Sequence, residues 1–116
     1  MSVGGVLLLD DDEDLLATLG DLVTLLTRRK CVAARSFDEL VARRDDALAC
    51  RDAILDINLG GGKASGLDAY AWLKEQRYAG RIFFLTGHAR SHPLVARACA
   101  LEGVTVLQKP IETDEL

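Results

Sequence analysis

Two adjacent aspartates, Asp10 and Asp11, follow directly on the apolar run Val6-Leu7-Leu8-Leu9, and a third, Asp56, follows Ala53-Ile54-Leu55. Thr86 closes the run Arg81-Ile82-Phe83-Phe84-Leu85, and Lys109 comes shortly after Val104 to Leu107. Each of these polar groups stands at the end of a short apolar segment of the kind that forms a strand buried on both faces of a parallel sheet. In such open sheets ligands bind outside the carboxyl ends of the strands. Asp10, Asp11, Asp56, Thr86 and Lys109 are therefore expected on one edge. Three carboxylates forced together repel unless a cation joins them. Mg²⁺ is the natural partner, because it keeps several waters and takes one or two carboxylates together with phosphate oxygens. A carboxylate can itself attack phosphorus to give an aspartyl phosphate, and in phosphoryl transfer the protein chiefly positions groups and neutralises charge. Mg²⁺, the Lys109 ammonium and the Thr86 hydroxyl would supply that neutralisation.

The elements that must position these groups can be read in the same pass. After the first strand, Leu15, Leu16, Leu19, Leu22, Val23 and Leu26 lie at helical spacing, with Asp12 to Asp14 placed favourably at the helix N-terminus. Cys31 to Ala34 makes a short second strand, and Ser36-Phe37-Asp38-Glu39 has the capping-box pattern opening a helix that carries Leu40 and Val41. The third strand ends at Asp56. A glycine-rich loop, Gly60 to Gly66, leads into a helix from about Leu67 to Arg77. The fourth strand, Arg81 to Leu85, precedes a helix that starts at His92-Pro93 and ends by Gly103, and Val104 to Leu107 is the fifth. Strands alternating with helices imply right-handed crossovers and a five-stranded parallel sheet, doubly wound, with helices on both faces. The expectation is one α/β domain over residues 1–116, its last helix short or cut off near Leu116.

Leu9-Asp10-Asp11, Leu55-Asp56-Ile57-Asn58, Leu85-Thr86-Gly87 and Gln108-Lys109-Pro110 resemble the four signature segments of response-regulator receiver domains, in order and over essentially the whole chain. The resemblance implies a flavodoxin-like fold and a switch of two-component signalling. By it Asp56 is the phosphoacceptor, Asp10 and Asp11 hold Mg²⁺ with it, and Asn58 lends the metal a backbone carbonyl. Thr86 and Lys109 contact the phosphoryl oxygens, and the phosphodonor is a histidine kinase or phosphotransfer protein. Four positions depart from the family pattern. Gly60 stands where the family has proline four residues after the phosphoacceptor, and Gly66 lies ten residues on where a glycine is usual at eight. Val106 replaces the common aromatic residue three before Lys109, and Gly87 leaves no side chain beside Thr86 to screen the phosphoryl group.

Other readings weaken against this set. Asp12 and Glu13 fit helix capping better than catalysis. His88 reads as a solvated loop residue, and His92 as structural beside Pro93. Trp72 lies off the stripe of Leu67, Tyr70 and Leu73, so it is expected to be partly exposed. Gly62-Lys63 fails as a P-loop because the required earlier glycine is Ile57 and Ala64 replaces Ser or Thr. A dinucleotide site would put glycines where Asp10 to Asp12 stand. A small aspartyl phosphatase would need a second aspartate as acid and base after Asp56, where Asn58 stands instead. A phosphorylation-independent pseudo-receiver would be signalled by loss of an acidic position or Lys109, and none is lost.

Composition agrees. Hydrophobic residues at 49% and charged ones at 28% suit a soluble globular chain. A net charge of -4 removes the electrostatic basis for direct binding of nucleic acid or anionic lipid. With no apolar run long enough to cross a bilayer and no signal-peptide pattern, the expected location is cytoplasmic. Cys31, Cys50 and Cys99 lack metal or disulfide spacing and read as small core residues. The domain is expected to modify itself rather than turn over a metabolite, and to act on an output domain beyond Leu116 or through a homodimer.

Overall fold

The computed structural model describes residues 5–57, 66–87, 93–101 and 103–108. Five parallel strands, β1 (Gly5–Leu9), β2 (Cys31–Ala34), β3 (Cys50–Asp56), β4 (Arg81–Thr86) and β5 (Val104–Gln108), form one sheet in the order β2-β1-β3-β4-β5. Between them run α1 (Glu13–Thr27), α2 (Phe37–Ala42), α3 (Arg44–Leu48), α4 (Gly66–Glu75) and α5 (Pro93–Cys99). The strands do not alternate polar and apolar residues because both faces are covered. Val6 and Leu8 pack with Ile54 and Leu85 under Leu16, Leu19 and Val23 of α1. Leu7, Leu9, Ala53, Leu55 and Phe84 face the other way, against Leu40, Ala47, Leu67, Leu73, Val95 and Ala98 from the remaining helices. Successive residues of a strand point to opposite faces, so each strand contributes to both layers. Leu55 is fully buried, and its truncation to alanine would cost about 2 to 5 kcal/mol.

Caps set the helix starts. Asp12 accepts from the Leu15 amide at 3.1 Å, and Ser36 accepts from the Glu39 amide at 3.1 Å. Glu39 reaches back to the Arg35 amide at 3.3 Å, one residue earlier than a capping box requires. The segment after Ser36 breaks into two short helices at Arg43, whose guanidinium donates to the Ala33 carbonyl at the end of β2 at 2.7 Å. The helix α4 stops at Glu75, short of the expected Arg77, and α5 stops at Cys99, before Gly103. Arg77 and Gly103 instead adopt positive φ, 59° and 76°, in the turns that follow. Leu26 projects outward at 51% exposure, and Cys99 is exposed rather than in the core.

At the amino edge of the sheet, far from the aspartate ends, Asp52 is buried beneath two guanidiniums. Arg29 approaches it at 2.6 Å and Arg81 at 2.7 Å, while Arg29 also donates to the Gly5 carbonyl at 3.1 Å. This clamp joins β1, β3, β4 and the α1–β2 connection.

Candidate phosphoacceptor and metal site

The register of the sheet brings the acidic groups together. Leu9 pairs with Leu55, so the aspartates that follow them, Asp10 and Asp56, leave neighbouring strands at one level. Asp56 pairs with Leu85, which puts Thr86 one step further along β4. Asp10 and Asp56 share the parity of Val6, Leu8 and Ile54 along their strands, and so the face covered by α1. Carboxylate oxygens of Asp10, Asp11 and Asp56 all lie within 4.8 Å of one another. Asp10 and Asp56 are buried, at 2% and 4% exposure, and so is Thr86 at 1%, whereas Asp11 opens to solvent.

Asp10 also organises the turn into α1, accepting from the Asp12 amide at 2.9 Å while its own amide donates to the Ala34 carbonyl at 3.1 Å. The fork that presents Asp10 and Asp11 is thus tied to β2 on one side and to the helix cap on the other. Beside Asp11 opens a cleft of about 630 Å³ between Asp12, Glu13 and Asp14 and the side chains of Arg35, Ser36 and Glu39. Arg35 pairs with both Glu13 and Glu39. The rim remains acidic, which favours approach of cations.

Three clustered carboxylates, two of them out of water, form a hard oxygen-donor set that a divalent cation fits and that lacks the soft ligands of a zinc site. The expected metal ligands Asp10, Asp11 and Asp56 therefore meet. Thr86 sits at the matching strand end. Asn58, Lys109, His88, His92 and the run Gly60 to Ser65 lie outside the described residues. Trp72 is partly buried, with its ring edge against Phe37 at 6.2 Å between centroids.

The profile of the response regulator receiver domain family matches residues 6–116. The chain belongs to that family. Among solved structures, it resembles a CheY-like receiver domain protein from Methanospirillum hungatei at 19% identity and a TM-score of 0.81, covering 98% of this chain and 87% of that one. Chemotaxis protein CheY4 of Vibrio cholerae gives 19% identity and a TM-score of 0.79, with 97% and 92% covered. The receiver domain of NtrX from Brucella abortus gives 23% and 0.78, with 95% and 89% covered. Against the longer NtrX chain this receiver domain spans 25% of the length. No curated protein matches the sequence.

Sequence reasoning missed one residue at the site. Gly66, read as a departure from family spacing, opens α4 directly against the backbone of Asp56: its amide donates to the Ile57 carbonyl at 2.9 Å. Its signal was a glycine at the junction of a loop and an apolar helix, which looks the same wherever a helix merely begins.

Proposed function

We propose that this receiver domain accepts a phosphoryl group on Asp56 from a phosphohistidine of a histidine kinase or phosphotransfer protein, in a Mg²⁺-dependent reaction. The observation that supports this most is the meeting of Asp10, Asp11 and Asp56 within 4.8 Å at the carboxyl edge of the sheet. Mg²⁺ held by these carboxylates and the Asn58 carbonyl would neutralise charge on the phosphoryl oxygens.

The chain's own residues do the rest. A carboxylate oxygen of Asp56 forms the new P–O bond as the P–N bond of the donor imidazole breaks; the electron pair stays with the departing imidazole nitrogen. The Thr86 hydroxyl donates to one phosphoryl oxygen and the Lys109 ammonium to another, so positioning and charge neutralisation lower the barrier. Gly87 places no side chain over the phosphoryl group, which leaves the face open to a docking donor. The product is a modified receiver, not a released metabolite, so the domain is a switch rather than a turnover enzyme. It works in the cytoplasm, where its donor resides, and passes its state to an output domain or a second copy.

Intact mass after incubation with acetyl phosphate and Mg²⁺ tests the reading. One added phosphoryl mass, labile to base and hydroxylamine and absent in Asp56→Asn, is expected. No labelling of the wild type indicates a pseudo-receiver, undiminished labelling of the variant indicates another acceptor, and sustained phosphomonoester turnover indicates a phosphatase.

A further inference from the structure

We propose that Gly66 is a positioning residue for the phosphoacceptor, an inference that rests on the assignment of Asp56 to that role. A Cβ at position 66 would collide with the Asp56 carbonyl oxygen and stand 2.9 Å from its carbonyl carbon and 3.0 Å from the Ile57 Cα. All three neighbours are backbone, so nothing nearby can swing aside. The missing side chain lets the first turn of α4 close on the peptide that carries Asp56.

The Ile57 peptide completes the arrangement. Its amide donates to the Leu85 carbonyl at 3.0 Å and its carbonyl accepts from the Gly66 amide at 2.9 Å. Ile57 is fully buried. The residue after Asp56 is thereby held between the end of β4 and the start of α4, which fixes the direction in which the Asp56 side chain leaves the sheet. The two residues by which Gly66 exceeds the usual spacing fall between ends joined by this hydrogen bond.

The test compares Gly66→Ala with Gly20→Ala, whose new Cβ would meet only Leu8 Cδ1 at an ordinary 4.0 Å. Two readouts are taken: the acetyl phosphate labelling rate per folded molecule, and the amide chemical shifts of Asp10, Asp56 and Ile57. Displacement by about 1 Å in a positioned reaction costs on the order of tenfold to a hundredfold in rate. Gly66→Ala should lose that much, with shifted Asp56 and Ile57 amides, while Gly20→Ala labels as the wild type does. A wild-type rate in folded Gly66→Ala overturns the proposal. If the wild type itself is not labelled, the phosphoacceptor reading fails, and unmoved Asp56 and Ile57 amides in Gly66→Ala would separately overturn the positioning claim. Should Gly66→Ala not fold, hydrogen exchange in the wild type decides. Slower exchange of the Gly66 amide on adding Mg²⁺ and beryllofluoride supports the coupling, and unchanged exchange overturns it.

Discussion

Asp10 and Asp56 stand side by side at the ends of β1 and β3, both buried, because Leu9 and Leu55 are register partners immediately before them. Two buried carboxylates with Asp11 beside them repel in the absence of a cation, at an energy on the order of 1 to 3 kcal/mol for such separations in a protein. Asp56→Asn removes one charge at nearly constant volume. It should therefore stabilise the metal-free domain by roughly 1 kcal/mol. If Mg²⁺ binds only the folded arrangement, it should raise the wild-type melting temperature, by about 2.7 kcal/mol of stability at a hundredfold excess over Kd. Asp11→Ala should abolish most of that rise. Thermal melts of the three proteins with and without Mg²⁺ read both effects, and an equal rise in Asp11→Ala would place the metal elsewhere.

Asp52 makes the opposite electrostatic case at the other edge of the sheet. Burial alone would raise its carboxyl, but hydrogen bonds and charge from Arg81 and Arg29 outweigh it and hold the group below its ordinary value. A carboxyl lowered on folding adds stability that is present above the unfolded value, about 4, and lost as pH falls through the folded one. Acid should thus weaken the clamp below about pH 4. Asp52→Ala takes the carboxylate at 2.6 Å away from the largely buried Arg29 and should cost on the order of 2 to 4 kcal/mol at neutral pH. Denaturant melts across pH test this: the wild type and the variant should converge in acid, and a gap constant down to strongly acidic pH would remove Asp52 from the account.

The contrast with the thiols is one of access. Burial pushes the Cys50 thiol up to about 11 and raises the Cys31 thiol as well, while Cys99 lies exposed at the end of α5. The thiolate is the reactive form, so a maleimide or disulfide reagent at mildly alkaline pH should modify one thiol quickly. Cys99→Ser should remove that fast phase. Three equal rates in the native protein would contradict the burial of Cys50.

Much of this was legible in the sequence because its causes are local. Apolar runs ending in Asp10, Asp56 and Thr86 specify strands and their polar ends together, and Asp12 and Ser36 bond to amides three residues on. The break at Arg43 was not legible, since it accompanies a bond from Arg43 to the Ala33 carbonyl across the fold. The role of Gly66 was hidden for the same reason: its neighbour is the backbone of a residue ten positions earlier. Cys99 was misread because its small apolar side chain suits a core position and α5 happens to turn it outward.

Phosphorylation should be reported through α5 rather than through the β5 side chain at position 106. Val106 pairs with Phe84 across β4 and β5 and packs partly buried against the core, where an aromatic ring is common in the family. If Thr86 is drawn toward the phosphoryl group it vacates space beside β5, but a valine is short and stiff about χ1 and cannot swing into it. The movement should pass instead through Gly87, whose backbone is permissive, into α5, anchored by the buried Val95 and Ala98. Ala96, Arg97 and Ala100 lie exposed on that segment and would present the altered surface to a partner. Phosphorylation need favour one state by only about 1 to 3 kcal/mol to act as a switch. Amide shifts with and without beryllofluoride should therefore change most, away from the site, in α5 and the residues leading to it. Gly87→Pro should suppress those changes and Val106→Ala should leave most of them. Loss of the remote changes in Val106→Ala would make the valine itself the relay and reject this route.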